Sequence, residues 1–277
     1  KQRKIIDRHL ETTPLVRCFE HEKRFSCETK ILAKLEFLQN TGTFKLRGAY
    51  ASIMSLDNEQ LSNGVIAVSA GNHAIAVAYA AKSYNVKAKV VMPKSSNKFR
   101  VSACEELGAE VIFAENSSDA FEKVTLIKER ENLSFIHPFE GQNIVNGTAT
   151  LGYEICNQLP DMSALIVPIG GGGLCSGVSA FVRRVNPKCS IYGVEPIAAN
   201  SYTHKTLSGS FNVRNRYLEE ILESHGKNDD ETWSTITTNQ GSVSHLDFLT
   251  AEEKDTFKTA FEIDQRWIIE LLSLIHI

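Results

Sequence analysis

The middle of the chain switches repeatedly between two hydrophobic periods. "GVIAVSAG" is a short β-rich apolar run closed by glycine, and the "NHAIAVAYAAKSY" that follows is alanine-rich and helical in character. "KAKVVMP" predicts a strand, "NKFRVSACEELG" a helix stopped by glycine, and "AEVIFAE" a strand again. "SSDAFEKVTLIKEREN" opens on Ser117, Ser118 and Asp119 as capping residues and sets Phe121, Val124 and Ile127 at helical spacing. "SFIHPF" is the next apolar run, with Pro138 closing it. A second set repeats the alternation: helix "TATLGYEICNQL", buried strand "SALIVPIG", helix "LCSGVSAFVRRV", strand "CSIYGVEP". Strands that alternate with helices predict βαβ units around a mostly parallel sheet. Two such blocks joined near residues 140–147 predict two α/β lobes with a cleft between them, the usual place for a ligand.

From Leu207 to Leu246 the pattern weakens into polar, mixed sequence, which predicts loops and one short helix around "RYLEEILESH". "TAEEKDTFKTAFEIDQRWIIE" then predicts an amphipathic helix, with Thr250 as N-cap and Glu253 three residues on. There is no internal repeat and no low-complexity tract.

Composition changes this picture little. The chain has 277 residues, 42% hydrophobic and 23% charged, which is ordinary globular usage, and a net charge of -3 argues against nucleic acid or an anionic membrane as partner. The opening "KQRK" reads as a solvated end or a short binding tail. No apolar run is long enough to span a bilayer and no signal peptide is recognisable. The cysteines, Cys18, Cys27, Cys104, Cys156, Cys175 and Cys189, form no C-x-x-C pair and sit in apolar segments. They are expected to be reduced thiols packed as small hydrophobes, which points to the cytoplasm. Cys18 and Cys27 have the spacing of a zinc half-site, without a matching second pair. The first residue is Lys, and Leu272–Ile277, "LSLIHI", is also what a common sequencing adapter encodes. A truncated reading frame with adapter-derived residues is therefore expected, the alternative being a native hydrophobic C-terminus.

Three stretches carry chemistry. In "TGTFKLRGAY" Lys45 is flanked by aromatic, aliphatic and small residues. Such surroundings disfavour the charged amine, leaving either a snorkelling side chain or an amine kept ready for covalent work. "GGGGLCSG", Gly170–Gly177, follows a strand and precedes a helix. Consecutive glycines there let backbone amides converge on a phosphate, or simply make a flexible turn. "SAGNH", Ser69–His73, stands at a similar junction and suits a carboxylate or a ring oxygen, or only a helix cap. A lysine for a Schiff base, a phosphate cradle and a carboxylate turn together are what a pyridoxal 5'-phosphate enzyme acting on an amino acid requires.

The order and spacing of "TFKLRGAY", "SAGNHAIAVAYAAK", "FIHPF" and "VPIGGGGL…GVEP" resemble the threonine dehydratase and serine racemase group of fold type II (β-family) pyridoxal-phosphate enzymes. The likeness covers residues 5–200 and resumes over 250–270. Cysteine synthases would show an S-G-N-T-G turn and threonine synthases a K-D-R-G lysine motif, where this chain has "SAGNH" and "KLRG".

The resemblance implies an α/β, two-lobed fold with parallel-rich twisted sheets flanked by helices and a truncated C-terminal part. Residues 1–63 and 146–277 would form the large cofactor-binding domain, and 64–145 a small domain that closes on the substrate. It implies that Lys45 holds the cofactor as a Schiff base and then removes the Cα proton. Asn72 would meet the ring oxygen, and Gly170, Gly171, Gly172, Gly173 and Leu174 the phosphate. Ser69, Ala70, Gly71 and His73 would form the turn holding the substrate carboxylate, with Asn146 where relatives carry a Gln reaching the same group. The implied reaction is β-elimination: L-threonine to 2-oxobutanoate or L-serine to pyruvate, with ammonia. A racemase-like enzyme or a catalytically silent binding relative are the alternatives. Serine racemases carry a second Ser where this chain has Ala70, which cannot donate a proton, so elimination is expected over racemisation. Glu195 matches a position that binds a divalent cation in some relatives, but these carry an acid at the place of Ser201, and no metal is assigned. The partner implied is a small amino acid, within a homo-oligomer when the chain is complete.

Two departures stand against the resemblance. Residues 205–247 lack the Thr-Ile-Ala-Asp-Gly signature of many dehydratases, and the chain stops after "WIIE", where relatives continue to a Ser-Gly-Gly-Asn segment. The polypeptide as given is therefore expected to fold poorly or bind cofactor weakly.

Overall fold

The computed structural model describes residues 9–23, 29–194, 201–206, 209–239 and 241–257. Two compact units divide the chain, Lys1–Gly193 and Val194–Ile277.

The first unit opens with strand β1 (Leu15–Arg17), the single-turn helix α1 (Phe19–Glu22) and strand β2 (Leu32–Lys34), which runs antiparallel to β1. Helix α2 (Lys45–Met54) begins on Lys45 and buries its next eight residues, and α3 (Asn58–Asn63) carries an Asp57–Gln60 capping box. The first alternating block then gives β3 (Val65–Val68), α4 (Asn72–Ser83), β4 (Ala88–Pro93), α5 (Lys98–Glu106), β5 (Glu110–Ala114), α6 (Ser117–Glu131) and β6 (Ser134–Phe135). Its four strands form one parallel sheet in the order β5-β4-β3-β6. β3 is buried along its whole length, and its alternation separates two cores. Val65 and Ala67 face α2 and the alanine-rich α4, while Ile66 and Val68 share a cluster with Ala120 and Val124 of α6. Burying each such β-branched side chain contributes about 1.5–3 kcal/mol, which is why a short apolar run suffices for a central strand.

The caps are partly those expected. α6 is capped by Asn116, whose side chain accepts the Asp119 amide, and not by the Ser-Ser-Asp triplet: Asn116 has extended backbone, whereas 117 and 118 are already helical. The next helix, α7 (Gln142–Gln158), begins six residues before the predicted "TAT" start, and β7 (Ala164–Pro168), α8 (Gly173–Val185) and β8 (Ser190–Val194) follow in the predicted order, although β7, expected to be a buried strand, buries only Val167. Three helices of this region approach backbone to backbone. A Cβ on Gly147 of α7 would fall 2.2 Å from the Arg47 carbonyl of α2, and one on Gly177 of α8 2.4 Å from the Val145 carbonyl of α7. β7 borders an apolar trough of about 450 Å³, lined among others by Leu15, Ile31, Ile166 and, from α7, Leu151 and Ile155, with Ile166 70% exposed.

The second unit departs from the expected loops. β9 (Ser201–Thr206) and β10 (Gly209–Arg214) form an antiparallel hairpin. The predicted helix is present as α9 (Arg216–Ser224), and α10 (Asp230–Thr238) is an additional one. α11 (Ala251–Thr256) has the predicted Thr250–Glu253 capping box. Leu218, Leu222, Trp233, Ile236 and Phe257 form this unit's core. The rest of the predicted C-terminal helix, Glu195 and Cys27 lie outside the described residues. Of the other cysteines, all are free, and Cys104, Cys156 and Cys189 are buried. Among the described residues no helix is long and apolar enough to cross a membrane, and no group of His, Cys, Asp and Glu is arranged to hold a metal ion.

Candidate functional site

Of the residues singled out in the sequence, Lys45, His73, Gly171, Gly173 and Leu174 meet around a four-residue stretch, Ile136–Phe139, that continues from β6. Lys45, half-buried at the start of α2, donates from Nζ to the Pro138 carbonyl at 2.6 Å and lies 5.2 Å from the centre of the Phe44 ring. Burial holds the Lys45 amine below the ordinary lysine range. No carboxylate pairs with it among the described residues.

His73, in the first turn of α4, is buried, and its Nε2 lies 2.9 Å from the Ile136 carbonyl. A carbonyl only accepts, so Nε2 carries the hydrogen and Nδ1 is bare. Burial, with a smaller contribution from the nearby Lys45 amine, pushes the imidazole down to about 3, so it is neutral at ordinary pH. The turn before it is compact. Gly71 N donates to Ser69 Oγ at 3.1 Å, while Ala70 and Asn72 are exposed. Gly71 is the N-cap residue and supplies no side chain, and the Asn72, His73 and Ala74 amides meet no acceptor among the described residues.

The glycine loop approaches the same stretch from the other side. A Cβ on Gly171 would sit 2.1 Å from the Phe139 ring, and one on Gly173 2.3 Å from the Phe139 carbonyl. Gly172 has φ of 83°, the left-handed conformation that glycine tolerates, and space is open beside Gly170 and Gly172. α8 starts here without a side-chain cap, leaving the amides of its first turn to an anion. Thr148 fixes the loop from α7, its hydroxyl lying 2.9 Å from the Gly173 carbonyl. Leu174 lines a small cavity together with Lys45, Pro138, Phe139 and Thr148.

These residues fit pyridoxal phosphate. A desolvated amine suits the aldehyde, and an uncapped glycine-rich helix start suits the phosphate. Asn146 is placed differently from its neighbours in the prediction. It is on α7, and its side-chain oxygen accepts from Gln142 of the same helix at 3.0 Å.

Sequence reasoning passed over the ionic cluster that holds Lys45's helix. Arg47, fully buried, donates to both oxygens of Glu36 at 2.7 and 2.8 Å and to Glu154 at 2.6 and 3.1 Å. Lys34 completes it with 2.7 Å to Glu154. Two cations and two carboxylates balance, tying α2 to β2's end and to α7. The available signal was an arginine in an otherwise apolar helix start. A second residue passed over is Arg100 of α5: a Cβ on Gly71 would fall 2.0 Å from its Nη1.

Comparison with known proteins bears on the whole arrangement. The family model described as pyridoxal-phosphate dependent enzyme matches residues 6–265. Phenylserine dehydratase of Ralstonia pickettii is 46% identical over 196 residues, 71% of this chain and 60% of that protein. L-threonine ammonia-lyase of Thermotoga maritima is 42% identical over 167 residues, 60% of this chain and 42% of that protein. The structure of maize serine racemase aligns with a TM-score of 0.69 at 33% identity, covering 72% of this chain and 60% of that one. The chain thus spans about half the length of the relatives it matches. With the lysine, the glycine loop and the parallel α/β lobe in place, the chain belongs to the pyridoxal-phosphate dependent enzymes, of fold type II.

Proposed function

We propose that the protein is an ammonia-lyase that converts L-threonine to 2-oxobutanoate and L-serine to pyruvate, releasing ammonia. The observation that carries this reading is the convergence of Lys45, His73 and the glycine loop on Ile136–Phe139. The dehydratase and ammonia-lyase relatives support the same class of reaction. Residues 1–63 with 146–277 would carry the cofactor, and 64–145 would close over the substrate.

When bound, the cofactor delocalises the electron pair left at Cα after deprotonation. Lys45 would hold the cofactor's aldehyde and then take the Cα proton on Nζ, roles that need a neutral amine, the form burial favours here. Gly170, Gly171, Gly172, Gly173 and Leu174 would bind the phosphate through main-chain amides, and Asn72 would meet the ring oxygen. Ser69, Ala70, Gly71 and His73, with Asn146, bind the substrate carboxylate. His73 contributes position and not charge, because it stays neutral and anchored on Ile136. The β-hydroxyl leaves as water, and one water is taken back when the released enamine hydrolyses. Threonine therefore gives 2-oxobutanoate and ammonia with no net change in water.

Ala70 has no proton to deliver to the opposite face of Cα, which favours elimination over racemisation. On the full-length protein, L-threonine and L-serine assayed side by side should both yield 2-oxo acid. Lys45→Ala should abolish that product together with the cofactor's absorption band, and 2-oxo acid formed at the wild-type rate by Lys45→Ala would refute the reading. Ala70→Ser should raise D-serine formation. D-serine made by the unmodified protein as fast as pyruvate would replace the lyase with the racemase alternative, while a coloured protein making neither product would be the silent relative.

A further inference from the structure

We infer that Arg100 is a specificity-determining residue, clamping the α-carboxylate of the amino-acid substrate at the Ser69–Gly71 turn. This rests on the reading of that turn as the carboxylate site and adds to it a residue from a different helix. Arg100 lies in the first turn of α5, yet its side chain reaches the turn that opens α4. An atom at the Cβ position of Gly71 would stand 2.0 Å from Nη1, 2.9 Å from Cζ and 3.3 Å from Cδ. The guanidinium and the end of its stem are thus packed on the face of Gly71, and a side chain at position 71 would have to displace them.

The electrostatics of the place are one-sided. Lys89, Lys94 and Lys123 of the same lobe each hold a carboxylate: Glu110 and Glu131, Glu115, and Asp119 respectively. Arg100's side chain has no ion pair or hydrogen bond among the described residues, although it is half-buried. A half-buried cation without a counter-ion costs free energy that an incoming anion recovers. The turn beneath it offers donors and no acid: the Ser69 hydroxyl, which accepts from the Gly71 amide and keeps its own hydrogen to give, and the α4 amides without acceptors. A carboxylate suits this setting, since it can take a guanidinium fork on one edge and main-chain N–H groups on the other. Lysine would provide only a point charge. The alanine-rich α4 and the apolar β3 bring no other charge to this end of the sheet.

The test compares binding of L-alanine, which has the carboxylate but no β leaving group, with binding of L-alaninamide, which lacks the charge. Both are titrated calorimetrically into the full-length, cofactor-loaded protein, its Arg100→Met variant and its Arg100→Lys variant. Folding of each is checked by far-UV circular dichroism and by the cofactor's absorption band. The unmodified protein is expected to prefer the acid. Arg100→Met should weaken L-alanine roughly 10- to 100-fold, the scale of losing a charged hydrogen-bonded contact, and leave L-alaninamide within about twofold. Arg100→Lys should fall between. If Arg100→Met keeps the preference for the acid, or loses acid and amide alike, the assignment of Arg100 is overturned while the turn's role stands. An unmodified protein with no preference between the two ligands overturns the carboxylate reading of the turn, and the Arg100 clamp with it.

Discussion

At the residue scale, two side chains near Ile136–Phe139 illustrate how burial prepares a group for its task. Lys45 is kept poor in proton affinity by its surroundings, and His73 is denied a charge altogether. The second has a measurable consequence for stability. His73 titrates near 6.5 in an unfolded chain and near about 3 in place, so below pH 6.5 the unfolded state binds a proton the folded state refuses. Stability is therefore full above that pH and falls as the pH drops toward about 3, by up to ~5 kcal/mol at the limit. His73→Gln, which keeps an N–H donor for Ile136, should flatten this part of the curve in urea denaturation midpoints measured from pH 7 to 4. An unchanged slope would mean that other groups cause the acid sensitivity. Lys45 was legible in the sequence because its immediate neighbours are apolar. Arg47 and Arg100 were not, because what they touch is far away along the chain: Glu36 and Glu154 for one, Gly71 for the other.

At the scale of elements, the strands of both alternating blocks were readable because each is a short apolar run bounded by glycine, proline or polar residues. The β9–β10 hairpin was not. "SYTHKTLSGSFNVR" contains no aliphatic run, and polar strands are indistinguishable from loops by hydrophobic period alone. α10 was missed for a similar reason, its threonine-rich sequence being unpromising until Trp233 and Ile236 find the core of the second unit. What fixes α2, the element that begins with Lys45, is ionic as well as apolar. Arg47→Met leaves the half-buried Glu36 carboxylate without its cation, a loss of up to roughly 3–5 kcal/mol. Combining Arg47→Met with Glu36→Gln, which leaves Lys34 and Glu154 to pair, should cost less than Arg47→Met alone in chemical denaturation. Equal or larger loss in the double variant would show that the cluster's charges are not what matters, and that packing of the arginine stem is.

At the scale of the molecule, the sequence pattern predicted two α/β lobes; the first block forms a four-stranded parallel sheet and the second only the two-stranded β7–β8 sheet, while the apolar trough beside β7 could not be read from the pattern. Nothing in "SALIVPIG" distinguishes a strand covered on both faces from one with Ile166 open to water. The arrangement of the candidate site depends on one short peptide. The groups it offers are carbonyl oxygens: Ile136 to His73, Pro138 to Lys45, and Phe139 against Gly173. Main-chain atoms are common to all residues, so mutation of single side chains at 136 or 138 can spare these links, whereas a change in the number of residues cannot. Inserting one alanine between Ile136 and His137 should abolish cofactor retention, and Ile136→Val should leave it near the parent's level, both read from the absorption spectrum after gel filtration. Over generations this stretch would accordingly drift in letters while its count stays frozen, a spacer whose information is its length.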